Sequence, residues 1–110
     1  LITYVIAVVD GDDWVLGEDV LERVASVFQG GDVWVVYGNF VTSGGGLGYS
    51  RPYHPLVIEH NKYRIAPFYF SHPRFFYCKL LHLIDPLDLQ DSNGKYFSTA
   101  TDVALYLPIL

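Results

Sequence analysis

The sequence predicts an α/β fold, and three observations carry that prediction. Residues 2–9 form an unbroken apolar run rich in valine and isoleucine, the composition of a strand buried on both faces as in a parallel sheet. Residues 17–28 place Val20, Leu21, Val24, Val27 and Phe28 on one face at helical spacing. Residues 32–40 return to strand composition through Val33, Trp34, Val35, Val36 and Tyr37. Strand, helix and strand in that order make a β-α-β unit.

Each element has its own punctuation. The first strand stops at Asp10-Gly11-Asp12-Asp13, and ligands of open α/β sheets gather just beyond the carboxyl ends of strands. Glu18 and Asp19 favour the positive end of the helix that follows, and Gln29-Gly30-Gly31 stops it. Residues 42–55, with Gly44-Gly45-Gly46 and Gly48, read as a loop, either a mobile flap or a plain linker. Residues 56–70 read as irregular or short strand. Ser71 is expected to cap a helix over about 72–84, with Pro73 in its first turn and Phe75, Phe76, Leu80, Leu83 and Ile84 as its apolar face. Pro86 ends it, and Ser92-Asn93-Gly94-Lys95 is a turn. Ser98 or Thr99 is expected to cap a last helix carrying Asp102. No internal repeat and no domain boundary interrupt the 110 residues, which read as one domain.

Composition narrows the function. Hydrophobic residues make up 51% and charged residues 17%, a globular balance. A net charge of −5 argues against a nucleic-acid partner held by bulk electrostatics. No apolar run reaches the roughly 18 residues of a membrane span. The amino terminus lacks a basic n-region and a small-residue cleavage site. The single cysteine, Cys78, fits a reducing compartment, so a cytoplasmic location is expected, with peripheral membrane association of a parent protein compatible with it. Acidic residues crowd the first third, whereas Arg51, Lys62, Arg64, Arg74 and Lys79 face only Glu59 in the middle. The chain opens inside one apolar run and stops in another, Leu107-Pro108-Ile109-Leu110, which reads as a fragment of a longer protein.

The acidic turn is the first chemical candidate. Two carboxylates separated by one glycine, Asp10 and Asp12, can converge on a hard cation such as Mn²⁺ or Mg²⁺. The plainer alternative is an Asx-rich turn leading into the next helix. A calcium loop starting at Asp10 fails, because Val15 stands where glycine is needed and Leu21 where glutamate is needed. Arg74, beside His72, could grip an acceptor or phosphate through its fork of donors, or simply face solvent. His54 and His60 have no companion ligands at zinc spacing, and Cys78 reads as a buried structural thiol. The glycine run lacks the Gly-Lys-Ser/Thr ending of a phosphate-binding loop.

The segment Val8-Val9-Asp10-Gly11-Asp12-Asp13-Trp14 with Val20-Leu21-Glu22-Arg23-Val24 resembles the "DxD" segment and following helix of family 2-like glycosyltransferases with the GT-A fold. The resemblance continues through Val33-Trp34-Val35-Val36-Tyr37-Gly38, Ser71-His72-Pro73-Arg74-Phe75-Phe76 and Thr101-Asp102-Val103-Ala104, in the family's order. It implies a partial GT-A fold, a β-α-β unit followed by helices, whose nucleoside-binding half would precede Leu1. It implies Asp10 and Asp12 as metal and diphosphate ligands, Asp13 at the sugar, and Asp102 as the base that deprotonates an acceptor hydroxyl. His72 and Arg74 join Asp13 as candidate substrate-binding residues. The donor would be a UDP- or GDP-sugar, the cofactor Mn²⁺ or Mg²⁺, and the transfer inverting. Many relatives present a Glu-Asp pair where this chain has Thr101-Asp102. Without the resemblance, Asp102 could complete a capping box with Thr99. The aromatic residues between Tyr49 and Tyr77 are expected to offer stacking faces for sugar rings. Two rival readings stand beside the transferase. One is a non-catalytic carbohydrate- or protein-binding module on the same scaffold; the other is a metal-dependent phosphate-ester hydrolase, which would need carboxylates and a nucleophile the sequence does not display.

Overall fold

The computed structural model describes residues 4–98 and 101–110, with side chains in the last segment from 103 onward. It is a small mixed α/β domain. Its elements run β1 (Val5–Val8), α1 (Val20–Gln29), β2 (Val35–Gly38), α2 (Pro55–Glu59), β3 (Ser71–Tyr77), α3 (Lys79–Leu83), a 3-10 turn (Pro86–Leu89) and α4 (Thr101–Ile109).

The sheet has three strands in the order β1-β3-β2, and β3 runs antiparallel to both neighbours. β1 and β2 therefore run parallel to each other with β3 inserted between them. The sequence pattern of a β-α-β unit holds in that limited sense. The expected doubly buried parallel strand does not: β1 is an edge strand whose residues alternate between exposed and half-buried. It is also shorter than residues 2–9, as β2 is shorter than residues 32–40.

Position 71–77 is the largest departure from expectation. Instead of starting a helix, Ser71–Tyr77 is the central strand, with Ser71, Arg74, Phe75 and Phe76 all buried. Only the short α3 follows. Phe70, Phe75, Phe76 and Tyr77 have the bulky rings that suit a pleated, doubly covered surface, and sheet burial prevails over the helical spacing. Residues 55–59, expected to be irregular or strand, form a short helix capped by the Nδ1 of His54, which accepts from the backbone N–H of Leu56 at 3.1 Å.

The two faces of the sheet are covered differently. On one, Ile6, Val8, Val35 and Tyr37 pack with Phe70, Phe76, Leu80, Tyr106 and Ile109, so α4 closes the main core. Helix α4 is apolar from Val103 to Ile109 and buries Tyr106 and Ile109. The ring of Tyr106 meets Phe70 edge-on at 5.1 Å. On the other face stand Val36, Phe75 and Tyr77, and α1 lies over them. Its one buried side chain is Phe28, whose ring sits 5.1 Å from that of Tyr77. Gly31, at φ +87°, adopts the left-handed conformation that stops α1.

Candidate metal centre and the adjoining cleft

Because β1 and β2 run parallel and β3 runs against them, one edge of the sheet collects both carboxyl ends and the start of β3. The acidic turn, Gly38-Asn39-Phe40 and Ser71-His72-Pro73 all lie there. Pairing of β3 with β2 jumps at this edge, from Tyr37 opposite Arg74 to Gly38 opposite Ser71. His72 and Pro73 are the residues bulged out of the ladder, at the point where proline has no N–H to contribute. Bulges re-aim side chains, and here the result is that Nε2 of His72 stands 3.9 Å from Oδ2 of Asp10. The ring of Phe40, with its centroid 6.1 Å away, braces the imidazole from the β2 side.

The acidic segment is a true turn. The backbone N–H of Asp13 donates to the carbonyl of Asp10 at 3.0 Å, leaving Gly11 and Asp12 as its two central residues. Closing such a turn brings its first and fourth residues side by side. Asp10, Asp13 and His72 accordingly each offer a ligand atom, all within 4.8 Å of one another. Asp12, expected to share a cation with Asp10, is not in this trio. It sits at the tip of the turn and lines an adjoining cleft together with Asp13 and His72.

Two carboxylates and one imidazole form a donor set that a divalent cation accepts, with oxygen donors in the majority as Mg²⁺ and Mn²⁺ prefer. Asp10 and Asp13 are exposed, while His72 is half-buried. The 3.9 Å between Asp10 and His72 is too long for a hydrogen bond and leaves room for a shared ligand. Nδ1 of His72 is buried with no hydrogen-bond partner among the described residues.

The remaining sequence candidates lie elsewhere. Arg74 is not on a helix and does not face solvent: it is 1% exposed, on the sheet face opposite the cleft. Its Nε donates to the carbonyl of Phe70 at 2.9 Å, and its guanidinium lies over the ring of Tyr106 at 4.4 Å. The side chain of Asp102 and the whole of Thr99 lie outside the described residues, so neither the base role nor the capping box is placed by the fold. The aromatic segment is largely spent on itself. The ring of Tyr53 lies 5.0 Å from Tyr63 and 5.4 Å from Tyr69, and its Oη accepts from the backbone N–H of Tyr69. Burial raises the phenol pKa of Tyr37, Tyr53 and Tyr63 above the usual value, and the neighbouring phenols add to it.

The glycine run folds as a tight hairpin. Val41 pairs with Leu47, and the N–H groups of Gly45 and Gly46 donate to the carbonyl and Oγ1 of Thr42 at 2.9 Å each. Val41, Thr42 and Ser43 from this hairpin complete the rim of the cleft, whose volume is about 660 Å³. Sequence reasoning missed the cleft. The signal was the spacing of Val20 and Val24 below an acidic turn that also carries Trp14 and Leu16. Among the described residues no helix is long and apolar enough to cross a membrane. Compared with protein-family models, with curated proteins and with solved structures, the chain matches none.

Proposed function

We propose that this chain is the metal- and acceptor-side part of a GT-A-type glycosyltransferase, which moves a sugar from a nucleotide-diphospho-sugar onto an acceptor hydroxyl with inversion. The observation that carries the reading is the meeting of Asp10, Asp13 and His72 within 4.8 Å at the edge where β1 and β2 both end. Asp10, Asp13 and His72 would hold Mn²⁺ or Mg²⁺, with Asp12 beside them at the diphosphate. The bound cation would supply Lewis-acid neutralisation of the departing nucleoside diphosphate. The cleft next to the trio gives an acceptor a place from which to approach the anomeric carbon.

The chain's own part is positioning and proton transfer. The turn closed between Asp10 and Asp13 fixes two ligands, and the bulge at His72 and Pro73 fixes the third. As the acceptor oxygen attacks in line, its proton passes to a carboxylate, the role the family resemblance gives to Asp102. The bond from the anomeric carbon to the diphosphate oxygen breaks on the opposite side. A base of this kind contributes roughly 10²- to 10⁴-fold in rate. Arg74, buried on the far face, takes no part and serves the core.

The test is turnover. The chain, joined to the nucleoside-binding segment that this reading places before Leu1 and incubated with UDP- or GDP-sugars and Mn²⁺, is expected to release the nucleoside diphosphate, and chelation or Asp13→Asn is expected to stop the release. Release that continues with the metal chelated contradicts the reading. Phosphate liberated from simple esters without any turnover of nucleotide sugars would favour the hydrolase.

A further inference from the structure

Charge is segregated along the chain. Glu59 is the one acidic residue between positions 33 and 84, against Arg51, Lys62, Arg64, Arg74 and Lys79. Three of these cations are committed within the fold. Arg74 is buried, Lys79 holds its Nζ 4.1 Å from the ring centroid of Trp34, and Arg51 lies over Tyr69 at 5.5 Å. Lys62 and Arg64 are exposed and make no ion pair or side-chain hydrogen bond with the described residues.

Both stand in one compact segment, 54–66. Asn61, at φ 52°, takes the left-handed conformation that ends α2. Its N–H donates to the carbonyl of Ile58 at 3.3 Å, and that of Lys62 to the carbonyl of Val57 at 2.9 Å. The N–H groups of Ile65 and Ala66 then return to the carbonyl of Lys62, each at 3.2 Å. Val57, Tyr63 and Ala66 are the half-buried residues of the segment, and the ring of Tyr63 rests against Tyr53. This folding leaves Leu56, Ile58 and Ile65 outside, 55%, 56% and 81% exposed, interleaved with His60, Lys62 and Arg64. A notch of about 450 Å³ opens between the segment and the end of α4. Its polar side chains are Asn61, Tyr63 and Arg64, each a hydrogen-bond donor and none a carboxylate; Ile58, Leu107 and Pro108 line the rest.

Aliphatic side chains separated by cations do not make the continuous apolar patch of a protein interface, whose core is poor in lysine. The same mixture suits the headgroup boundary of a bilayer. There aliphatic side chains enter the acyl region, while lysine and arginine lay their stems along it and carry their charge to phosphate. A negative lipid surface attracts the two unpaired cations, and the acidic remainder of a chain of net charge −5 turns away from it. Arg64, at the notch, offers the planar fork that grips a phosphate through two parallel bonds.

We infer that segment 54–66 is a docking surface for an anionic phospholipid bilayer, with Leu56, Ile58 and Ile65 entering the interface and Lys62 and Arg64 on the lipid phosphates. This surface is independent of the transferase reading, and either can fail alone.

The experiment sediments the chain with vesicles of equal parts phosphatidylserine and phosphatidylcholine, and with vesicles of phosphatidylcholine alone. The chain is expected to bind the mixed vesicles far more tightly than the neutral ones, and to leave them as salt rises. Each cation at such a surface is worth about fivefold in affinity, so the double variant Lys62→Ser, Arg64→Ser should lose about 25-fold. Ile65→Ser should lose about tenfold while keeping the wild-type circular dichroism spectrum. Absence of binding to both vesicles overturns the inference, as does equal binding to both. A folded double variant that binds like wild type overturns it too. If the double variant does not fold, Ile65→Ser and the salt series on the unmodified protein decide. Inorganic phosphate that binds through Arg64 in a chain that ignores vesicles would assign the notch to a free anion and remove the bilayer.

Discussion

Truncating Phe28 to alanine tests how α1 is held. Phe28 is 5% exposed and the one buried residue of its helix, with its ring edge-on to Tyr77. Burying a phenylalanine side chain is worth about 1.5–3 kcal/mol, and an aromatic pair of this geometry adds about 0.5–1.5 kcal/mol. Together these give an expected loss of about 2–4 kcal/mol, close to the 3–5 kcal/mol that such truncations cost. A domain of this size has about 5–15 kcal/mol in total, so the variant stays folded but gives up a large share. With a urea slope of about 1–3 kcal/mol per molar, the unfolding midpoint should fall by roughly 0.7–4 M. Leu21→Ala, on the same helix but 63% exposed, is the control and should change stability by less than about 0.5 kcal/mol. If Phe28→Ala loses no more than Leu21→Ala, α1 is not anchored through Phe28 as described.

Other expectations follow from the same geometry. In Mn²⁺ titrations read by electron paramagnetic resonance, Asp13→Asn and His72→Ala should each weaken binding at least about tenfold, the loss that even outer-shell changes cause. Asp12→Asn should do less; equal losses from Asp12 and Asp13 would restore the pair expected from sequence. A Cβ at Gly38 would lie 2.7 Å from Cδ of Pro73 and 3.0 Å from the carbonyl oxygen of His72. Gly38→Ala should therefore push the bulge aside, with a loss of about 1–3 kcal/mol in stability and weaker Mn²⁺ binding, both measurable on one sample. The raised pKa values of Tyr37, Tyr53 and Tyr63 mean that the folded chain holds phenol protons the unfolded chain gives up. Their contribution is whole below about pH 10, the ordinary tyrosine value, and is lost as pH climbs through the raised folded values. Urea midpoints should hold to about pH 10 and drop above it, in step with late tyrosinate absorbance; a midpoint that stays flat above about pH 10 while the tyrosines ionise contradicts it.

The fold was partly legible in the sequence. Helix α1 announced itself through the 3.6-residue spacing from Val20 to Phe28 and the glycine pair that ends it. The helix at 101–109 and the turn at Asp10 were equally open to reading. β3 was not, because Phe75 and Phe76 fit a helix face and a doubly buried strand alike, and Pro73 argued against a central strand. Only pairing with both neighbours, and a bulge to absorb the proline, makes that residue admissible. The cluster of Asp10, Asp13 and His72 shows the same limit. Asp10 and Asp12 are the obvious pair along the chain, but a turn closed by a hydrogen bond pairs positions 10 and 13 in space. His72, sixty-two positions away, joins them only through the order of the strands. Arg74 read either as a grip on acceptor or phosphate or as a solvent-facing side chain; its burial depends on Phe70 and Tyr106, which no local pattern links to it.

The most direct test of the transferase reading is calorimetric titration of UDP into the chain with and without Mn²⁺, repeated on Asp13→Asn and with GDP if UDP is silent. Binding that requires Mn²⁺ and disappears in Asp13→Asn is the expected result. Nucleotide binding unchanged by metal or by the substitution would contradict it, as would silence from both nucleotides in a chain extended at its amino terminus.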